Sequence, residues 1–212
     1  MAKTVLLIRH GQTDWNASGR WQGHLPVGLN TVGSAQARAL AEALADHTID
    51  AVYSSDLLRA AQTAEAIARV QRMRVIHDPR WRELNVGVLQ GLSEAEMIAR
   101  YPQEFAALAA DPMSYAVPSG ESRLQLQARV HAAWADVVAN PAASMAAIVS
   151  HGGSIRMLLL RLFPEQAEAI TGNRVSNTSV TRLERNKDGW RIEYLFRVLA
   201  TPERVPVDAQ TF

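Results

Sequence analysis

Short apolar runs alternate with longer amphipathic segments along most of this chain. The short runs are aliphatic and partly β-branched, as buried strands are, and they lie at Val5–Ile8, Ala51–Ser54, Met73–His77 and Met145–Ser150. The longer segments carry apolar residues at helical spacing, and they lie at Gly33–His47, Asp56–Val70, Ser93–Tyr101, Gly120–Ala139 and Ser154–Leu162. Ser55 or Asp56 is expected to cap the second of these helices.

Two later runs, Thr178–Leu183 and Trp190–Phe196, flank the turn sequence Asn186–Gly189 and predict a hairpin. Strands that alternate with helices are typical of a parallel sheet covered by helices on both faces. The pattern therefore predicts an α/β fold, a three-layer α/β/α sandwich. Its central sheet is expected to be mostly parallel, with one antiparallel edge element.

Length and composition favour a single domain over residues 1–212, since 48% of the 212 residues are hydrophobic. The two prolines of the segment Thr201–Phe212 predict a loosely ordered tail. Formal net charge is only +1, which gives no reason to expect binding to nucleic acid or to a membrane surface.

The chain contains no cysteine, which excludes disulfides, thiolate catalysis and cysteine-based zinc sites. The run Val5–Ile8 is too short for a signal peptide, and no apolar stretch could span a bilayer. We therefore expect a cytoplasmic protein.

Two predicted strands each end in a histidine followed by glycine. Arg9-His10-Gly11 follows the first strand, and His151-Gly152 follows the strand Met145–Ser150. Ligands of open α/β sheets bind outside the carboxyl ends of the strands. We therefore expect one site built from both places, and the arginine beside His10 points to an anion, most simply phosphate.

Imidazole can act as a nucleophile towards phosphorus, and His10 is the candidate because it adjoins Arg9. Arg59 begins a helix that follows a strand, so it is expected near the same sheet edge. Glu83 lies in an irregular segment, where catalytic groups often lie on a rigid scaffold. Taken alone, each has a plainer interpretation: a buried structural histidine, a solvated helix arginine and a surface carboxylate.

Several motifs appear together and in a fixed order. They are Leu7–Asn16, Trp21–Leu25, Ser55–Ala64, Glu83–Gly87, Pro118–Ser122, Ser150–Gly153 and Asn177–Ser179. This set, which spans Val5 to about Phe196, resembles the histidine phosphatase superfamily of phosphoglycerate mutase-like proteins. One such motif would be weak evidence, whereas the ordered set is specific.

By this resemblance His10 is the phosphorylated nucleophile, and Glu83 is the acid and base. The phosphoryl pocket is formed by Arg9, Arg59 and His151. Further substrate contacts are implied for four residues, namely Asn16, Gln22, Gly23 and Gly152. The carbonyl of Gly11 is expected to orient the His10 ring. No metal and no cofactor are expected, because arginine and histidine supply the positive charge.

The chain departs from the family pattern after Leu25. The family usually has Asp, a small or aliphatic residue, Pro and Leu, whereas this chain has Pro26-Val27-Gly28-Leu29. We expect the two differences, Pro26 and Gly28, to alter the rim of the pocket and the substrate preference without removing a phosphate ligand.

Mutases of the superfamily usually carry an insertion with a lysine and an Arg-Arg pair, which grip a second charged group. The corresponding stretch here, Gln90–Ile98 followed by Pro102–Val117, is short and has neither. We therefore expect hydrolysis of phosphomonoesters by a histidine acid phosphatase-type enzyme that acts on small phosphorylated metabolites. The alternatives are a cofactor-dependent phosphoglycerate mutase and an inactive binding module of the same fold.

A third alternative makes His10 and His151 metal ligands, but it needs further ligands at suitable spacing. The expected partner is a small-molecule phosphomonoester, and the sequence leaves a homodimer open. Neither nucleic acid nor a membrane is an expected partner.

Overall fold

The computed structural model describes residues 2–201, and these form one six-stranded sheet in the strand order β3-β2-β4-β1-β5-β6. Four of the strands pair with one another in parallel. They are β1 (Thr4–Arg9), β2 (Ala51–Ser54), β3 (Val75–His77) and β4 (Met145–Ser150). The tail predicted at Thr201–Phe212 lies, apart from Thr201, outside the described residues.

The hairpin predicted near the C-terminus closes one side of this sheet. It consists of β5 (Ser179–Asn186) and β6 (Gly189–Val198), and β5 pairs antiparallel with β1. The predicted mostly parallel sheet with an antiparallel edge is confirmed, and the edge comprises two strands.

Eight α-helices within residues 2–201 connect or flank these strands. They are α1 (Asp14–Ala17), α2 (Thr31–Ala43), α3 (Leu58–Val70), α4 (Glu94–Arg100), α5 (Pro102–Ala110), α6 (Arg123–Ala139), α7 (Gly152–Leu162) and α8 (Ala167–Gly172). None of the described helices is long and apolar enough to cross a membrane.

Side chains of the central strands are buried on both faces, which explains their unbroken apolar sequences. Val5 and Leu7 of β1 pack into a cluster with α6 and α7. Leu6 and Ile8 face the opposite way and pack with α2 and α3. These two clusters form the layers of the predicted α/β/α sandwich.

Three helices were not predicted from the sequence, namely α1, α5 and α8. The expected cap of α3 is also wrong. Leu57 occupies the N-cap position and provides no side-chain hydrogen bond. Ser55 instead accepts a hydrogen bond from the Leu57 amide, at 3.2 Å, in a turn that precedes the helix. The serine therefore shapes the entry to α3 without capping it.

The pairing of β1 with β4 brings the two predicted histidines together. Arg9 lies opposite Ser150 in the parallel register, and the His10 amide donates to the Ser150 carbonyl at 3.0 Å. His10 is the residue that follows Arg9, and His151 is the residue that follows Ser150. The two histidines therefore leave the sheet at the same edge. The structure thus brings the two histidines that the sequence placed at strand ends next to each other.

The loop after His10 is held against α2 by a close approach of two backbones. A β-carbon on Gly33 would overlap the Gln12 carbonyl oxygen, and one on Gly11 would lie 2.6 Å from the Gly33 carbonyl oxygen. Since backbone atoms occupy the space, no side-chain movement could relieve the overlap. Gly33 therefore fixes how closely the loop that carries His10 packs on α2.

We predict that Gly33→Ala lowers the free energy of unfolding by about 1–3 kcal/mol through overpacking. Gly172→Ala is the matched control, because a β-carbon there would meet no atom of the described residues within 4 Å. The control is expected to be neutral or slightly stabilising, as alanine favours helix more than glycine does. Urea unfolding followed by circular dichroism measures both, and equal stabilities would contradict the prediction.

Candidate active site

His10 follows β1 and is almost fully buried, with 3% of its surface exposed. Its Nδ1 lies 2.6 Å from the Gly11 carbonyl oxygen, which can only accept a hydrogen bond. The proton of the neutral ring is therefore on Nδ1, and Nε2 keeps its lone pair. Burial, together with the charges of Arg59 and Arg9, lowers the pKa of His10 well below its usual value. His10 is thus a neutral imidazole at neutral pH.

His151 is the N-cap residue of α7 and is fully buried beside His10. The two rings meet edge to face, with centroids 5.1 Å apart. Its Nε2 forms a 2.9 Å hydrogen bond with Ser55 Oγ, while its Nδ1 has no partner among the described residues. Burial and the nearby Arg59 charge lower the pKa of His151 as well.

The two predicted phosphate-binding arginines, Arg9 and Arg59, flank these rings. Arg9 Nη1 donates to the Val175 carbonyl at 2.6 Å, and Arg59 Nη2 donates to the Gly23 carbonyl at 2.8 Å. Burial lowers the pKa of Arg59 to about 10, which still leaves it charged at neutral pH. Neither arginine forms a salt bridge within residues 2–201, and the buried Nε of each has no partner there. Unpaired buried donors of this kind suit an anionic ligand.

Glu83 lines the same cavity from the irregular segment between β3 and α4. Its Oε2 accepts from the Gly153 amide at 3.0 Å, and its Oε1 accepts from the Leu84 amide at 2.9 Å. A β-carbon on Gly153 would overlap Oε1, so glycine allows this approach. The carboxyl group is therefore held in a defined position at the start of α7.

Arg129 of α6 fixes the backbone that carries Glu83. It donates to the carbonyl oxygens of Arg80, Arg82 and Glu83 at 2.8, 2.6 and 2.8 Å. It also donates to both carboxylate oxygens of Glu121, at 2.6 and 3.0 Å. One planar guanidinium thus holds three carbonyl groups of an irregular segment in place.

Asn16 lies at the cavity with its amide orientation fixed by its neighbours. Its Oδ1 accepts from the Thr13 amide at 3.1 Å and from Asn177 Nδ2 at 3.2 Å. The side-chain nitrogen of Asn16 is left as a donor for a ligand. Asn177 also donates to the His10 carbonyl at 3.0 Å, and so links the segment before β5 to the segment that carries His10.

The remaining predicted residues fall into two groups. Gln22 and Gly23 line the cavity, and the buried Oε1 of Gln22 has no partner among the described residues. Gly152 lies against Arg9, since a β-carbon there would be 3.6 Å from Arg9 Nε. The glycine that lines the cavity is Gly153, whose amide is already bonded to Glu83. A contact between Gly152 and substrate stays a prediction.

The cavity has a volume of about 290 Å³ and an open mouth. Its lining includes six residues that were not predicted as site residues from the sequence, namely Arg20, Trp21, Leu84, Val86, Arg123 and Gly153. Within residues 2–201, no three histidine, aspartate or glutamate side chains form a group that could hold a metal ion. The cations nearest His10 are guanidinium groups, so the arrangement is suited to binding a phosphoryl group.

We predict that His10 and His151 stay neutral in the folded protein at the pH where an ordinary histidine is half protonated, about 6.5, because their pKa values are lowered by burial. Imidazole nitrogen NMR should show His10 as the Nδ1–H tautomer at this pH, with urea-unfolded protein as the titrating control. The unfolded chain binds more protons below about pH 6.5, so the free energy of unfolding should fall there. Titration of both rings near pH 6.5 in the folded protein would contradict this.

Comparison with known proteins identifies the family. A model of the histidine phosphatase superfamily (branch 1) matches residues 5–197. The probable phosphoglycerate mutase GpmB of Yersinia pestis (strain Pestoides F) is 35% identical over 186 residues, which are 88% of this chain and 86% of that protein.

Two solved structures give the same result. The mycobacterial glucosyl-3-phosphoglycerate phosphatase is 32% identical with a TM-score of 0.80, covering 92% of this chain and 99% of the other. The alpha-ribazole phosphatase of Shigella flexneri is 27% identical with a TM-score of 0.83, covering 92% and 96%. The chain therefore belongs to the histidine phosphatase superfamily and is an enzyme of its phosphoglycerate mutase-like phosphatase group.

Proposed function

We propose that this enzyme hydrolyses small phosphomonoesters through a phosphohistidine at His10, without a metal ion. The observation that carries the proposal is the neutral His10 ring beside two buried guanidinium groups. Its Nδ1 proton is bound by the Gly11 carbonyl, so its Nε2 lone pair is free to attack. The Nε donors of Arg9 and Arg59, which have no partner within residues 2–201, suit the oxygens of a phosphoryl group.

In the first step, the Nε2 lone pair of His10 attacks phosphorus. The P–N bond forms while the ester P–O bond breaks, and the protonated Glu83 carboxyl gives its proton to the leaving alcohol oxygen. Charge on the transferring group is balanced by Arg9 and Arg59. His151 adds a second, neutral imidazole next to the nucleophile.

In the second step, a water molecule attacks the phosphohistidine. The Glu83 carboxylate takes a proton from this water as the new P–O bond forms and the P–N bond breaks. Phosphate leaves, and His10 returns to its neutral form with the lone pair on Nε2. The Gly153 and Leu84 amides keep the carboxylate in place for both steps.

Hydrolysis is favoured over transfer between two positions of a bound substrate. The stretch Gln90–Val117 folds into α4 and α5 and contains no lysine and no Arg-Arg pair to hold a bisphosphate. Mutase activity is the second candidate, because a relative at 35% identity is named as a probable phosphoglycerate mutase. The named substrates of the similar phosphatases, glucosyl-3-phosphoglycerate and alpha-ribazole phosphate, belong to the class that we expect.

We predict that phosphate release from a panel of phosphomonoesters persists in EDTA and falls at least about 10³-fold in His10→Ala, because the nucleophile is lost. The matched control is His77→Ala, an exposed histidine at the end of β3. The panel includes 3-phosphoglycerate. Formation of 2-phosphoglycerate in place of phosphate would favour the mutase, and full activity of His10→Ala would refute the proposal.

We also predict that Glu83→Gln slows hydrolysis of alkyl phosphates by about 10²–10⁴-fold, as expected for a lost general acid. With p-nitrophenyl phosphate the leaving group needs no proton, so the first step should remain fast. Stopped-flow measurement should then show a burst of about one nitrophenol per enzyme, followed by slow turnover as the phosphohistidine accumulates. Equal slowing of alkyl and nitrophenyl esters without a burst would remove Glu83 from the proposed role.

A further inference from the structure

Gly11 gives the segment after His10 a backbone freedom that the site has to restrict. A β-carbon there would lie 2.6 Å from the Gly33 carbonyl oxygen, so packing against α2 requires glycine at this position. Glycine permits more backbone conformations than any other residue. Yet the Gly11 carbonyl must keep one direction, because it is the acceptor for the Nδ1 proton of His10. Contacts from other parts of the fold therefore have to fix this backbone.

Thr63 of α3 binds the amide end of the His10–Gly11 peptide. The Gly11 amide donates to Thr63 Oγ1 at 3.0 Å, and Thr63 is fully buried. The Thr63 hydroxyl donates its own proton to the Arg59 carbonyl at 2.8 Å, one helical turn earlier. A hydroxyl has only one proton, so this bond leaves its lone pairs to accept from the Gly11 amide. One side chain therefore connects the segment after His10 to the backbone of Arg59.

The carbonyl end of the same peptide is bound by the segment before β5. The His10 carbonyl accepts from Asn177 Nδ2 at 3.0 Å and from the Thr178 amide at 3.3 Å. Thr178 also donates to the Arg9 carbonyl at 3.0 Å, and its φ is 54°. A β-branched residue rarely adopts this left-handed conformation, and such strain persists where the surroundings enforce it. The His10–Gly11 peptide is thus bound at both of its ends.

The next peptide, Gly11–Gln12, is held in the same way. Its carbonyl lies 2.6 Å from His10 Nδ1, and its amide, from Gln12, donates to Gln36 Oε1 of α2 at 2.9 Å. Two consecutive peptide groups are therefore fixed by side chains from α2, from α3 and from the segment before β5. Among these contacts, the one from Thr63 is the most deeply buried, so water is poorly placed to replace it.

We propose that Thr63 is a positioning residue for the phosphorylation of His10, and that Asn177 is its counterpart at the other end of the peptide. The inference rests on the proposed phosphatase activity. A fixed peptide keeps the Gly11 carbonyl at Nδ1, so the lone pair stays on Nε2. Without the Thr63 hydroxyl, the buried Gly11 amide loses its acceptor and the peptide turns away from this arrangement. Part of the His10 population then carries its proton on Nε2 and cannot attack phosphorus.

The first test is Thr63→Val, which keeps the shape of the side chain and removes the hydroxyl. Imidazole nitrogen NMR should show that His10 is no longer a single Nδ1–H tautomer. With p-nitrophenyl phosphate, kcat should fall by about 10-fold to 10²-fold because the nucleophile is misplaced. KM should change by less than about threefold, because Arg9 and Arg59 keep their charges and binding positions. Thr63→Ser restores the hydroxyl and should restore both the tautomer and kcat.

Thr171→Val is the matched control. Thr171 Oγ1 donates to the Ala167 carbonyl of α8 at 2.8 Å, the same contact within a helix that Thr63 makes, but no described amide donates to it. This variant should keep the His10 tautomer and the kcat of the parent enzyme. A single Nδ1–H tautomer with unchanged kcat in Thr63→Val would overturn the inference. An equal loss of kcat in Thr63→Ser and Thr63→Val would also overturn it.

Asn177→Ala tests the other end of the peptide and does not depend on the folding of Thr63→Val. It should also give a mixture of His10 tautomers. Because both side chains bind one peptide, the double variant should lose less kcat than the product of the two single losses. Losses that simply multiply would show independent action and would overturn the shared role. The tautomer measurement needs no turnover, so it still tests the inference if no ester is hydrolysed, a result that would count against the proposed function alone.

Discussion

The parallel pairing of β1 with β4 is the constraint on which the site depends. It places Arg9 opposite Ser150, so that the next residue of each strand, His10 and His151, leaves the sheet side by side. Both strands are buried on both faces, which fixes their register, because a slip by one residue would turn every apolar side chain to the wrong layer. The histidine pair is thus positioned by the hydrophobic core and needs no flexible loop to assemble it.

Burial at this strand edge lowers the pKa of both histidine and arginine, but it changes the charge of histidine only. It lowers the pKa of His10 enough to keep the ring neutral, but it leaves Arg59 charged because a guanidinium starts from a much higher pKa. A single environment therefore yields a neutral imidazole next to fixed positive charge. The guanidinium hydrogen bonds go to carbonyl oxygens such as those of Val175 and Gly23, which orient the arginines without cancelling their charge.

The sequence was sufficient to predict the strands, the histidine pair and Glu83, because each belongs to a local motif at an element boundary. It did not reveal Arg129, which acts on Glu83 through backbone carbonyls more than forty residues away. The sequence also did not reveal that Arg123 lines the cavity. Only the folded structure shows that Arg123 forms no salt bridge with an acidic side chain within residues 2–201. Short helices such as α1 were missed because one helical turn carries too little periodicity to detect.

The unusual run after Leu25 belongs to a loop that forms the rim of the pocket and also contacts Arg59. A β-carbon on Gly28 would lie 3.2 Å from Gln62 Oε1, and this same oxygen accepts from the Leu29 amide at 2.8 Å. Gly28 therefore lets the loop pack on α3, the helix that carries Arg59. The same loop supplies the Gly23 and Leu25 carbonyls that orient Arg59. Changes in this loop are thus expected to alter phosphate binding together with substrate preference, because one segment determines both.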